Sequence, residues 1–182
     1  MRQLFIVILT ITAGWLNTSA QTMYQTLEGH VIIKGKYQGA GMLAESHELN
    51  LFLNYMTKKF TGKLDLNTLS TGTDTLIRQL TKNQPEWVFF EGVIPNEDFI
   101  IWEHPKLSYV IPLEIQANGT SLTVPMDVEL EHYRGVLNYA CLLSGIMDVD
   151  LAAFNKNADA LSDSVRIQLK QVLLKDGPNN GN

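Results

Sequence analysis

Few side chains in this sequence could carry chemistry, and they are scattered. The four histidines are His30, His47, His104 and His132. None shows the i, i+4 spacing that sets two imidazoles on one helix face for zinc. His47 stands in Glu45-Ser46-His47-Glu48. On a strand residues 45 and 47 point the same way, so Glu45 and His47 could share one cation, although an ordinary polar strand start is the preferred reading. Asp148 and Asp150 alternate with Met147, Val149 and Leu151. Two carboxylates on one strand face can bind a cation or flank a glycosidic bond. Strand alternation alone produces such pairs, and Asn155-Lys156-Asn157-Ala158-Asp159 contains no glycine-turned calcium loop. Ser46, Ser70, Ser108, Ser121, Ser144, Ser162 and Ser164 all lie outside any G-x-S-x-G elbow. Neither G-x-x-x-x-G-K nor G-x-G-x-x-G occurs. Cys141, the single cysteine, sits in the apolar run Asn138-Tyr139-Ala140-Cys141-Leu142-Leu143 and reads as a buried thiol. These residues assemble no catalytic constellation. The sequence therefore reads as a protein without enzymatic activity, cofactor or metal.

Composition narrows the partners. Of 182 residues 45% are hydrophobic and 18% charged, with a net charge of −5. That apolar content suits a packed domain, and the length suits one core. An acidic surface offers no footprint for phosphate backbones, so nucleic acid is not an expected partner. A lone cysteine excludes an internal disulfide framework.

The first twenty residues read as an export signal. Met1-Arg2-Gln3 carries one positive charge, and Leu4 to Ile11 is almost entirely apolar. Gly14 follows, then Thr18-Ser19-Ala20, with small residues at the −3 and −1 positions of a cleavage site. The apolar run is too short to span a bilayer, and no later run is longer, so stable membrane insertion is not expected. Cleavage after Ala20 removes 20 of the 182 residues and leaves 162, starting at Gln21. The expected organisation is a signal peptide over 1–20, a single domain over 21–175 and a disordered tail over 176–182. The expected location is the periplasm or the exterior.

The elements that must position these side chains are strands. Leu49, Leu51, Leu53 and Tyr55 alternate with Asn50, Phe52 and Asn54, and Phe60, Leu64 and Leu66 continue the pattern across Gly62. Leu107, Tyr109, Ile111, Leu113 and Ile115 form the longest stripe. Leu122, Val124, Met126, Val128 and Leu130 form the next, with Asn118-Gly119 between them as a tight hairpin turn. Further strands are read over 30–37, 135–143, 145–153 and 165–174, with Ser144-Gly145 as a turn and Gly39-Ala40-Gly41 as a hinge or bulge. Trp87-Val88-Phe89-Phe90 and Phe99-Ile100-Ile101-Trp102 read as short buried strands. Helical spacing is confined to Thr73–Lys82 and a turn or two over 155–161. Eight or more strands joined by hairpins can close as a sandwich or as a barrel.

The order of these features resembles the YceI-like family of exported, lipocalin-like barrels. Phe60-Thr61-Gly62-Lys63-Leu64-Asp65-Leu66 is similar to that family's F-x-G-x-L strand. Leu69-Ser70-Thr71-Gly72-Thr73-Asp74 is similar to the stretch that opens its short helix. The resemblance continues through Phe89-Phe90, His104-Pro105-Lys106-Leu107-Ser108-Tyr109 and Asp163-Ser164-Val165-Arg166-Ile167-Gln168-Leu169. The segment His30 to Tyr37 departs from the family's opening strand, and the stretch from Trp87 to Trp102 is longer than the family's. The resemblance implies an all-β, antiparallel barrel of about eight strands with one short helix. It also implies a binding role: an isoprenoid or fatty-acid-like lipid held along the barrel axis. The residues implied as lining are Leu51, Leu53, Phe60, Leu64, Tyr109, Ile111, Val124, Met126, Val128 and Tyr139. The alternative is a non-enzymatic β-sandwich that binds a protein or glycan through exposed aromatics at Trp87, Phe99 and Trp102.

Expression in a secreting host should yield a mature chain whose N-terminal sequence begins at Gln21; a mature chain that retains residues 1–20 removes the export reading.

Overall fold

The computed structural model describes residues 23–37, 39–71, 87–95, 105–117, 119–132, 139–151 and 164–176. The strands are β1 (Met23–Tyr37), β2 (Ala40–Asn54), β3 (Lys59–Asp65), β4 (Trp87–Val93), β5 (Leu107–Ala117), β6 (Thr120–His132), β7 (Tyr139–Asp150) and β8 (Ser164–Asp176). Each pairs antiparallel with its neighbours in sequence, and β1 pairs with β8, which closes the sheet into an eight-stranded barrel. Closure decides between the two architectures the stripes allowed. The sandwich reading is thereby corrected, because one continuous ladder runs round the molecule and leaves no second sheet to pack against.

The alternation places the stripes inside. Leu51, Leu53, Phe60, Ile111, Leu113, Val124, Met126 and Leu130 are buried, while Glu114, Gln116, Asp127 and Glu129 alternate with them on the outer side. Apolar inside and polar outside is the reverse of a transmembrane barrel, whose outer band is apolar. Among the described residues no helix is long and apolar enough to cross a membrane.

The Asn118-Gly119 hairpin forms as read: Ala117 pairs with Thr120, and Gly119 has φ +72°. Three local readings change. Gly39-Ala40-Gly41 belongs to a second tight hairpin, with Tyr37 opposite Ala40 and Gly39 at φ +79°, rather than to a hinge. Ser144-Gly145 is not a turn, because β7 runs straight through it with a register shift between Leu143 and Gly145. The mistaken turn has a physical cause. A Ser-Gly pair in mid-strand has the composition of a loop, and only the partner strands turn it into an irregularity of the ladder. Trp87-Val88-Phe89-Phe90 is not wholly buried: Phe90 points inward, whereas Trp87 and Phe89 face outward at 36% and 50% exposure. The stretches Thr73–Lys82, Phe99 to Trp102 and 155–161, the N-terminal segment and residues 177–182 lie outside the described residues. Within those residues a 3-10 turn, Leu66–Thr68, follows β3, with the Asp65 carboxylate accepting from the Asn67 amide at its start.

Two glycines make the interior possible. Gly62 on β3 lies directly opposite Phe90 on β4. A Cβ built on Gly62 would stand 2.1 Å from Phe90 Cζ, so the ring occupies the space that any side chain at 62 would need. The Phe60 and Phe90 rings then meet at 5.7 Å, tilted by 50°. Gly145 gives similar clearance, its notional Cβ 3.1 Å from Met126 Sδ. Small residues under large ones are how a narrow barrel fits bulky groups without voids.

Gly62→Ala should therefore destabilise the fold by about 1–3 kcal/mol through overpacking against the ring. Part of that loss should return in Gly62→Ala combined with Phe90→Leu. Urea unfolding of the single and double variants measures this, and purely additive effects would contradict a direct clash.

Candidate functional site

The barrel interior is where the inward stripes converge. Eight of the residues implied as lining lie there: Leu51 and Leu53 from β2, Phe60 and Leu64 from β3, Ile111 from β5, and Val124, Met126 and Val128 from β6. All eight are at most 6% exposed and belong to one continuous apolar core. Tyr109 is half-buried and packs against that core. Tyr139 opens β7 opposite Lys175, and its side chain lies outside the described set. Pattern reading missed Tyr24, Val31, Val172 and Leu174, all buried in the same core. Irregular registers hide them. The β1 ladder shifts between Thr26 and Val31, so Tyr24 and Val31 face inward although they are an odd number of residues apart. Such a shift breaks period two, the signal on which strand reading depends.

The interior is packed. Exposures this small mean that the inward side chains touch one another rather than open space. Tyr24 and Tyr55 meet edge to face at 4.7 Å near one end. Burial pushes the Tyr55 hydroxyl well above the ordinary phenol range. Cys141 lies in the same core, as expected of a small hydrophobe, and burial raises its thiol to about 12, against a lowering backbone hydrogen bond at Glu131. A thiol held neutral in an apolar interior is a poor nucleophile.

Of the polar residues singled out in the sequence, Glu45, His47, Asp148 and Asp150 lie on the outer surface, in two separate groups. Asp148 on β7 accepts two hydrogen bonds from Arg166 on β8, from Nε and one terminal nitrogen, each at 2.8 Å. This bidentate contact holds the Asp148 carboxyl below its ordinary range. Glu45 and His47 stand together on β2. Glu45 pairs with Ile32, Ile32 with Gln168, and Gln168 with Ile146 on β7. Three strand spacings, roughly 14 Å, therefore separate Glu45 from the strand that carries Asp148 and Asp150. A single divalent ion or a reacting bond cannot engage both groups. Among the described residues, the histidine that joins Glu45 and His47 is His30 on β1: its Nε2 lies 3.2 Å from Glu45 Oε2, and its ring stacks on that of His47 at 4.1 Å. No sequence spacing links His30 to His47; only the β1–β2 pairing does.

The outward aromatics form a third feature. Lys63 Nζ sits 4.9 Å from the Trp87 ring centroid. Trp87 and Phe89 border a shallow groove of about 250 Å³ that includes Gln116 and the hairpin around Gly119. Phe99 and Trp102, the other aromatics of the surface-binding reading, lie outside the described residues.

No family model and no curated protein matches the sequence. Among solved structures the chain is similar to a polyisoprenoid binding domain from Saccharophagus degradans, implicated in plant cell wall breakdown. The TM-score is 0.69, over 87% of this chain and 99% of that one. The two share a fold. Identity is 8%, so the likeness lies in the path of the backbone. The resemblance to YceI-like proteins holds at that level: an antiparallel, lipocalin-like eight-stranded barrel is what the chain forms.

The buried acids yield a pH prediction. Cys141 and Tyr55 both keep their protons in the fold at pH values where the unfolded chain loses them, from about pH 8.5 for a free thiol upward. Stability contributed by these neutral groups is complete below the unfolded pKa and falls as pH climbs toward the folded one. Cys141→Ala should be less stable than the parent at pH 7, and the gap should narrow steadily above about pH 9. Urea midpoints across pH 7 to 11 test this; a constant gap would mean that the thiol titrates normally.

Proposed function

We propose that this protein is a non-enzymatic carrier that holds an elongated apolar molecule, a polyisoprenoid or a fatty-acyl lipid, along the axis of its barrel. The observation that carries the reading is the closed ladder around an uninterrupted apolar interior, on the fold shared with a polyisoprenoid binding domain. An eight-stranded barrel is just wide enough to be filled by side chains or to take one slender ligand. Burying an acyl or prenyl chain contributes roughly 25 cal/mol per Å² of apolar area removed from water, offset by the cost of immobilising a flexible tail.

Since the inward side chains fill the interior, admission of a ligand works through repacking. Met126 and Met147 face each other across β6 and β7, and both are buried. Unbranched thioether side chains change rotamer at small cost, which makes this pair the part of the packed interior best suited to rearrange. The residues implied as lining, Leu51, Leu53, Phe60, Leu64, Tyr109, Ile111, Val124, Met126, Val128 and Tyr139, are in this reading the ligand's contacts. The signal-like segment over 1–20 supports a site of action in the periplasm or outside the cell. There a carrier shields a water-insoluble chain between membranes or enzymes.

Native mass spectrometry of gently purified, unheated protein is expected to reveal an adduct with the mass of one lipid, extractable into organic solvent. Delipidated protein should take up a fluorescent polyprenyl analogue, and Val128→Phe, which adds bulk on the inner face, should weaken uptake. A clean apo mass together with no uptake by folded protein would sink the carrier reading.

A further inference from the structure

We infer that the outer face of the barrel carries a binding site for one divalent late-transition ion of the zinc type, built from His30, Glu45 and His47. The site lies across β1 and β2 on the polar side of the sheet and is independent of any occupant of the interior.

The geometry starts from a break in the ladder. Gly29 pairs with Leu49 and Val31 with Ser46, so between these pairs one residue, His30, faces two, His47 and Glu48. This is a β-bulge, and bulges re-aim side chains. A chain of hydrogen bonds holds it in place. The Glu48 amide donates to Ser46 Oγ at 3.1 Å, and the Ser46 and Thr68 hydroxyls are bonded to each other at 2.6 Å. Thr68 Oγ1 donates to the Asp65 carbonyl at 2.7 Å, so the shared proton comes from Ser46. Ser46 is buried at 2% exposure, which makes the chain an internal brace. Glu45 is fixed from the other edge as well: its amide donates to the Ser70 carbonyl at 2.9 Å, and its carbonyl accepts from the Ser70 amide at 2.7 Å. The backbone that presents two of the three ligands is thus tied on both sides.

The side chains then converge. One ligand atom from each of His30, Glu45 and His47 falls within 4.8 Å of the other two. His30 Nε2 and Glu45 Oε2 are already 3.2 Å apart. Two donors on one tetrahedral zinc, each about 2.0–2.1 Å from the metal, stand about 3.3 Å from each other. The imidazoles stack with their planes 21° apart, so their in-plane lone pairs run nearly parallel, and both reach one ion once the exposed His47 ring turns out of the stack. Two imidazoles and one carboxylate suit zinc, copper or nickel far better than magnesium or calcium, which prefer all-oxygen sets. Three protein ligands leave a position for water. The exposed Glu28 and Glu48 flank the site in sequence and favour a cation, while Lys170, one residue beyond the Val31–Leu169 pair on β8, opposes it.

Protein free of any histidine tag is titrated with zinc against a chromophoric chelator, and cobalt(II) serves as the spectroscopic probe. One equivalent should bind, with the visible bands of a low-coordinate cobalt centre, a rise in melting temperature on zinc addition, and no competition from millimolar magnesium. His30→Ala and His47→Ala should each weaken binding by roughly tenfold or more, and Glu45→Gln should weaken it measurably, given that even outer-shell changes reach that scale. All three side chains lie on the outer face, so the metal-free variants should melt like the parent. The site is overturned if the parent binds no zinc, or if the double variant of His30 and His47 binds it as tightly as the parent while remaining folded.

Discussion

The pairing of β1 with β8 is the constraint on which the rest of the structure depends. It joins the two ends of the described chain, Tyr24 with Asp176 and Val31 with Leu169, over a separation of well over a hundred residues. Until that ladder forms, the sheet has two open edges and its apolar face has nothing to pack against except itself. Once it forms, every strand has a neighbour on each side, the inner face is sealed from water, and exposed edges no longer invite association. Closure also sets the width of the interior, and width dictates the pairing of large residues with small ones: Phe90 over Gly62, Met126 over Gly145.

Closure separates the chemistry into two compartments. The inner face is apolar almost throughout, and burial holds the Tyr55 hydroxyl and the Cys141 thiol neutral there. The outer face carries the charges, and there the groups that could bind an ion or form a salt link are grouped by strand order alone. Asp148 meets Arg166 because β7 adjoins β8, and His30 meets His47 because β1 adjoins β2. A carrier needs only the first compartment. The second is free to hold a metal without disturbing it, since the bulge at His47 is braced through Ser46 and Thr68 rather than through the core.

The tight packing of the interior fits a binding role only if the side chains can rearrange. Aliphatic and aromatic residues with few rotamers line most of the barrel, and the adaptable methionines are concentrated where β6 meets β7. Their unbranched thioether side chains change rotamer more readily than the branched and aromatic groups around them.

Period two was legible in the residues themselves. The stripes of β2, β3, β5 and β6, the Asn118-Gly119 hairpin and the buried character of Cys141 all follow from local alternation and turn chemistry, which need no knowledge of partners. Where a register shifts, local alternation fails, so the inward-facing Tyr24 and Val31 and the continuous β7 became evident only in the paired sheet; Trp87-Val88-Phe89-Phe90 has no alternation to read, and its outward-facing Trp87 and Phe89 emerged the same way. The meeting of His30 with Glu45 and His47 belongs to the same class. Residues fifteen or more positions apart carry no mutual signal in a chain; hydrogen-bonded strands bring them into contact, and the choice of barrel over sandwich likewise rests on one long-range ladder that local sequence does not encode.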